Sequence, residues 1–200
     1  YNITFADGTL NVKQKNVSIT INNASSVYGD AISDVEYTVT GLVANDKLGL
    51  VLEKTATLAD NSTATNALAA GVYKIAQSTS SALNANYNVE NLTVAINGAT
   101  YTIEKAELVV TPKDGTINVG GTFDTVNGFG VTVSGWKNGD TDALLSGMIS
   151  YATNYNGGAA GTYEITVTVS GTLDNYNINS SSNVKGSLYV GAAIIVVTIN

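Results

Sequence analysis

The stretch Ala69–Ile75 (AAGVYKI) decides how this sequence is interpreted, because Ala159–Ile165 (AAGTYEI) repeats it 90 positions later. A second motif, Asn-Tyr-Asn, is centred on Tyr87 and recurs around Tyr176. Self-similarity at a fixed period is typical of an array of one structural unit. The chain of 200 residues is therefore predicted to hold two modules of ~90 residues, each large enough to bury a core of its own.

The residues that mark the repeat are glycines and tyrosines at matching positions. They are Gly71, Tyr73, Tyr87, Gly161, Tyr163 and Tyr176. A tyrosine two residues after a glycine at the start of a strand is typical of a buried ring whose hydroxyl bonds to backbone. Asn-Tyr-Asn is interpreted as a turn that builds the fold, because asparagine favours turns. The marker residues are thus expected to be structural.

Composition excludes several functional classes. The chain has no histidine and no cysteine, so a Ser-His-Asp or Cys-His enzyme cannot be built from it. Its net charge of −7 and its nine lysine plus arginine residues argue against binding to nucleic acid or to anionic lipid. We expect no catalytic residues, no cofactor, no nucleic-acid partner and no membrane contact by this segment.

Short runs of alternating apolar residues recur along the chain and predict strands. The clearest is Tyr163–Val169, and Tyr37–Gly41 matches Val131–Gly135 in the second copy. The segment Leu144–Met148 fits either one helical turn or a strand. Short strands separated by turn signals predict an all-β fold of two tandem small β-sandwich modules. Because the junctions lack glycine and proline, we expect an elongated, end-to-end arrangement.

Three places have the pattern of a β-hairpin. Asp7-Gly8 separates alternating apolar pairs within residues 1–15, and Asn97-Gly98 does so within residues 92–103. A degenerate turn at Lys185-Gly186 follows the second Asn-Tyr-Asn motif. Each module is therefore predicted to close with a hairpin. The resulting boundaries are 1–15 for the closing hairpin of a preceding repeat, 16–106 for module 1 and 107–200 for module 2.

The order of the motifs resembles the bacterial extracellular MBG-type (YGX-like) repeat of surface adhesins. The resemblance rests on Tyr28-Gly29-Asp30, then Thr38–Gly41 with Asn45-Asp46, then Ala70–Tyr73, then Asn86–Val89, then Tyr101–Ala106. The second module departs from it at Val119-Gly120-Gly121 and at Val190–Ala193. The resemblance implies an immunoglobulin-like or β-grasp-like module of an exported, multi-copy protein at the bacterial cell surface or secreted. It implies no catalytic residues.

A few residues are candidates for binding. Trp136, the only tryptophan, suits either a sugar-stacking platform or a partly buried plug. Tyr155 and Asn156, in the loop 154–158, suit recognition of a glycan or a protein. Asp140 and Asp142 are weak calcium candidates, because calcium needs more oxygen ligands than this spacing supplies. An intramolecular covalent bond between a lysine and an asparagine is a further alternative, and no spacing in the sequence selects the asparagine. The candidate lysines are Lys13, Lys15, Lys105 and Lys113.

The sequence favours a non-catalytic stalk or spacer in a surface adhesin, with neighbouring repeats of the parent chain as partners. One alternative is an adhesion module that binds host glycan or protein through Trp136 and the loop 154–158. Another is an accessory domain of a secreted polysaccharide-active enzyme.

Overall fold

The computed structural model describes residues 1–52, 68–179 and 184–192. The chain forms two compact units. The first comprises residues 1–26, 31–65 and 71–103, and the second comprises residues 27–30, 66–70 and 104–200. The turn 27–30, which the sequence repeat assigns to the first module, thus belongs to the second unit. The module boundaries inferred from the sequence stay predictions.

Up to Glu104, the described residues form six short strands and one short helix. They are β1 (Lys15–Ile21), β2 (Ala24–Val27), β3 (Tyr37–Thr40), β4 (Gly71–Lys74), β5 (Tyr87–Val89), α1 (Leu92–Gly98) and β6 (Thr100–Glu104). They form two three-stranded sheets, in the orders β3-β1-β5 and β2-β6-β4. In the first sheet β1 is central, antiparallel to β3 and parallel to β5.

The same arrangement returns after Lys105. The elements are β7 (Ala106–Pro112), β8 (Gly115–Asn118), β9 (Val131–Ser134), a 3₁₀ helix (Asp142–Leu145), β10 (Ile149–Thr153), β11 (Gly161–Val169), β12 (Tyr176–Asn179) and β13 (Gly186–Gly191). One sheet has the order β12-β7-β9, with β7 central, parallel to β12 and antiparallel to β9. The other has the order β10-β11-β13-β8. The matching topology confirms an all-β fold of two small modules.

The period-two pattern of each strand determines which side chains enter the core. In β1 the buried residues are Val17, Ile19 and Ile21, with exposed residues between them. In β11 Ile165 is fully buried, and it packs in a cluster with Val110 of β7 and Leu188 of β13. This cluster joins both sheets of the second unit, as a sandwich requires. Burying such aliphatic side chains stabilises the fold by about 1.5–3 kcal/mol each.

The three predicted hairpins are wrong. No strand is assigned between residues 1 and 14, where the side chains of Phe5 and Leu10 are 94% and 87% exposed. A two-stranded hairpin without a packing surface is at best marginal in water, which explains its absence. At the end of the chain, residues 180–183, just before the predicted turn at Lys185-Gly186, lie outside the described residues. Gly186 begins β13 instead of forming a turn, and β12 and β13 belong to different sheets. Each strand instead completes a separate sheet of the sandwich.

In the middle of the chain, α1 (Leu92–Gly98) replaces the first strand of the predicted hairpin. The half-buried residues Leu92, Ala95 and Ile96 lie on one face of the helix, whereas Val94 is 74% exposed. Leu92 and Ile96 fit both a period of two and a helical i, i+4 spacing, so the pattern was ambiguous. The preceding Asn91 forms two hydrogen bonds with the backbone of Ile19, which link the start of the helix to β1.

Some leucines between the strands are buried in both units. Of the two alternatives for Leu144–Met148, the structure has the helical one, a 3₁₀ helix over Asp142–Leu145 that buries Leu145. In the first unit Leu48, Leu50 and Leu52 are buried, and Leu52 forms a β-bridge with Gln77. Among the described residues, no helix is both long and apolar enough to span a bilayer.

Candidate functional site

A left-handed turn follows the strand β9 in the second unit and positions a cluster of polar side chains. Gly135, Asn138 and Gly139 have φ angles of 104°, 54° and 82°, a region that glycine and asparagine tolerate best. The amide of Asp140 donates to the carbonyl oxygen of Lys137 at 2.9 Å and closes the turn. The turn directs the carboxylate of Asp140 towards β12.

Tyr176, the first residue of β12, forms hydrogen bonds with this turn. Its ring is buried, and its hydroxyl donates to Oδ2 of Asp140 at 2.7 Å. The hydroxyl oxygen of Tyr176 also accepts the amide proton of Lys137 at 3.0 Å. The tyrosine of the second Asn-Tyr-Asn motif therefore links the loop after β9 to β12, the opposite edge strand of the same sheet.

The first unit repeats these bonds. The hydroxyl of Tyr87 donates to Oδ2 of Asp46 at 2.5 Å and accepts the amide proton of Val43 at 3.0 Å. Asn45 adopts a left-handed φ of 68° in the turn before Asp46. The pairing was not recognised in the sequence, although both of its members recur. The available signal was that an aspartate after a strand and an Asn-Tyr-Asn motif return together in each copy.

The hydroxyls of Tyr87 and Tyr176 are both held in their neutral form. Burial, and then the hydrogen bond to Asp140, raise the pKa of Tyr176 to about 12. The hydrogen bond to Asp46 raises the pKa of Tyr87 above its ordinary value. A proton shared towards a carboxylate is lost less readily because ionisation would bring two negative charges together. The tyrosines therefore act as hydrogen-bond donors over a wide pH range.

The turn Tyr28-Gly29-Asp30 covers the cluster of the second unit. The hydroxyl of Tyr28 donates to Oδ2 of Asp140 at 3.1 Å, and its ring meets that of Tyr176 edge-on at 5.4 Å. Nζ of Lys137 contacts Oδ1 of Asp30 at 2.6 Å. Gly29 has φ of 80°, and a Cβ there would lie 2.4 Å from Cβ of Lys137. This close approach requires glycine at the centre of the turn.

Trp136 belongs to the same cluster. Its ring meets that of Tyr176 edge-on at 5.1 Å, and Nε1 donates to Oδ1 of Asp142 at 2.7 Å. The side chain is half-buried against the core of the second unit. One edge of the ring is therefore committed to internal contacts, and the role of plug or sugar-stacking platform stays a prediction.

Tyr155 and Asn156 line a different surface. The ring of Tyr155 packs on that of Tyr163 at 4.9 Å, and its hydroxyl accepts the amide proton of Gly120 at 3.0 Å. Oδ1 of Asn156 accepts the amide proton of Gly158 at 3.2 Å. An open groove of about 460 Å³ runs beside them, between the loop 120–125 and the loop after β10. Trp136 is not among its lining residues, so the two predicted binding elements do not form one site.

The weak calcium candidates already have partners. Asp140 accepts from two tyrosine hydroxyls, and Asp142 accepts from the indole of Trp136. Within the described ranges, no group of three or more acidic, histidine or cysteine side chains is placed to hold a metal ion. Of the lysines considered for a covalent bond, Lys105 donates through Nζ to the carbonyl oxygen of Leu173 at 2.8 Å.

The remaining repeat markers lie at the start of matching strands. Gly71 and Gly161 begin β4 and β11, each beside the ring of the tyrosine two residues later. Both Tyr73 and Tyr163 are half-buried. The hydroxyl of Tyr163 donates to the carbonyl oxygen of Ala159 at 2.8 Å, a bond to backbone of the expected kind.

Comparison with known proteins agrees with this arrangement. A family model described as MBG domain (YGX type) matches residues 17–104 and matches again at residues 108–188. The two matches confirm the resemblance and the tandem repeat. A comparison with curated proteins gave no match.

Proposed function

The chain belongs to the MBG domain (YGX type) family, in two tandem copies, and on that premise we propose that it is a non-catalytic stalk or spacer of a bacterial adhesin. The parent protein would be located at the bacterial cell surface or be secreted. Repeat units that each contain a complete core can extend the length of a protein without adding catalytic residues.

The observation that carries the proposal is the use of the recurring polar side chains. In each unit the tyrosine of the Asn-Tyr-Asn motif bonds to an aspartate and to a backbone amide of the same unit. Side chains that recur in every copy and bond internally stabilise the copy itself.

Surface display tests the spacer role. An epitope would be fused to one end of the chain and a membrane anchor to the other, with a matched display that lacks the chain. We expect the full chain to hold the epitope measurably farther from the membrane, as read by fluorescence quenching with a membrane-bound acceptor. Equal quenching with and without the chain would contradict the spacer role.

A second candidate function is binding of a host glycan or protein, favoured by the open groove beside Tyr155 and Asn156. Aromatic and amide side chains at a groove are typical of recognition surfaces. A glycan array with the full chain tests it, with Tyr155→Ala as the groove variant and Trp136→Ala as the plug variant. Specific signals lost in Tyr155→Ala but kept in Trp136→Ala would support the groove, and signals no greater than background would leave the spacer role alone.

A further inference from the structure

The loop after β3 in the first unit and the loop after β9 in the second share several groups at matching positions, although Asn138 has a φ of 54° and its counterpart Ala44 has no positive φ. Gly41 and Gly135 both have φ near 100°, at 100° and 104°. Val43 and Lys137 both donate their amide proton to the tyrosine hydroxyl, and Asp46 and Asp140 both accept its proton. The two loops therefore share the same hydrogen bonds to a tyrosine hydroxyl.

Among the residues that the structure describes, a turn covers only the loop of the second unit. There the turn Tyr28-Gly29-Asp30 lies on the loop, and Lys137 and Asp140 are half-buried. In the first unit the corresponding Val43 is 53% exposed, and Asp46 is exposed as well. The equivalent carboxylate is thus presented to solvent in the first unit.

We propose that the loop Leu42–Lys47 of the first unit, together with Tyr87, is a docking site for a Tyr-Gly-acid turn of another repeat. The chemistry of this occupant is taken from the turn seated in the second unit. Its tyrosine donates to the aspartate, its glycine permits close approach, and its acid pairs with a lysine. The proposal goes beyond the spacer role, because it names the surface and the partner that it takes.

The first unit offers each of these contacts. Oδ2 of Asp46 is oriented by Tyr87 as that of Asp140 is by Tyr176. Val43 presents an apolar surface where the stem of Lys137 contacts Gly29. Lys47, exposed beside Asp46, supplies a cation for the acidic residue of the turn.

A peptide copy of the turn is the probe. Residues 26–33 (SVYGDAIS) form a closed loop in the structure, since Oγ of Ser26 donates to the carbonyl oxygen of Ala31 and accepts the amide proton of Ser33. A cyclic peptide of this sequence would be titrated into the ¹⁵N-labelled full chain. We expect saturable shifts of the amides of Val43 and Asp46, with a Kd of about 1 mM or tighter.

Matched variants make the titration decisive. The peptide with Tyr28→Phe is expected to bind about fivefold more weakly, the ratio for one lost hydrogen bond. In the full chain, Val43→Glu is expected to abolish the shifts because it places a negative charge against the acid of the turn. Val51→Glu, at another exposed valine of the same unit, is expected to leave them unchanged.

The second unit provides a positive control. In the full chain with Tyr28→Ala, the same peptide is expected to shift the amides of Lys137 and Asp140 as well. Shifts at Lys137 without shifts at Val43 would overturn the proposal. Absence of shifts at both loops would overturn it too, and so would equal binding by the Tyr28→Phe peptide.

Discussion

The hydroxyl of Tyr176 and the carboxylate of Asp140 form a hydrogen bond of 2.7 Å, and Tyr87 and Asp46 form its counterpart at 2.5 Å. Both bonds join the first residue of a parallel strand to the turn after an antiparallel one. Each unit thus has a polar tie at the same place in its fold. The stability of that tie can be measured.

Removing the hydroxyl of Tyr176 should destabilise the second unit. Tyr176→Phe is expected to lower the free energy of unfolding by about 1–3 kcal/mol, because Asp140 and the amide of Lys137 both lose a partner. Trp136 is the only tryptophan, so its fluorescence in a urea titration reports the second unit. Tyr189→Phe is the control, because Tyr189 is 47% exposed. An equal loss in both variants would contradict the assignment.

Alkaline pH should weaken the second unit. The pKa of Tyr176 is raised to about 12 in the folded chain, chiefly by burial, against about 10 in the unfolded chain. The folded state therefore binds the proton more tightly, and its contribution is complete below pH 10 and is lost between about pH 10 and pH 12. Urea titrations across this range should show a falling midpoint. The fall should be smaller in Tyr176→Phe, and an identical pH profile would count against this cause.

Substitutions at two glycines in the loop after β9 separate the energetic cost of backbone strain from that of steric overlap. Gly135 and Gly139 both have positive φ, but a Cβ at Gly135 would lie 2.1 Å from the carbonyl oxygen of Glu107, whereas at Gly139 it would meet nothing within 4 Å. Gly139→Ala is expected to cost about 1–2 kcal/mol. Gly135→Ala is expected to cost more than about 3 kcal/mol. Thermal unfolding followed by Trp136 fluorescence measures both, and equal costs would show that the loop moves to relieve the overlap.

Tyr101 should hold the segment before β3 in the first unit. The residue is fully buried, and its hydroxyl lies 2.5 Å from Oγ of Ser26 and accepts the amide proton of Ser33 at 2.8 Å. Tyr101→Phe is expected to cost about 1–2 kcal/mol and to speed hydrogen exchange at the amide of Ser33. Tyr1→Phe, at a fully exposed tyrosine, is the matched control. Unchanged exchange at Ser33 would show that the bond is not needed there.

The strands with the clearest alternation could be predicted from the sequence. Tyr163–Val169 lies within β11, and Tyr37–Gly41 corresponds to β3. Their period of two reflects a sheet with one buried face, which is a local property of the chain. The hairpins could not be predicted in this way. Strand pairing depends on which sheet a segment joins, and the alternation near Leu92 also fits a helix.

The candidate site, like the fold, was only partly predictable from the sequence. The recurrence of Tyr87 and Tyr176 marked them as structural, but their aspartate partners lie 41 and 36 positions away. Trp136 and Tyr155 were grouped in one binding hypothesis because both are aromatic residues near glycine turns. In the fold they contact Tyr176 and Tyr163 respectively, in different sheets.

By itself, the sequence determined that the chain is all-β, that it contains one module twice, and that histidine and cysteine chemistry is absent from it. These properties follow from composition and from periods that can be counted along the chain. Only the tertiary structure decided that Tyr28-Gly29-Asp30 belongs to the second unit and that its acid meets Lys137. Contacts across 107 positions depend on how the strands are ordered in sheets, because that order brings distant turns to the same edge.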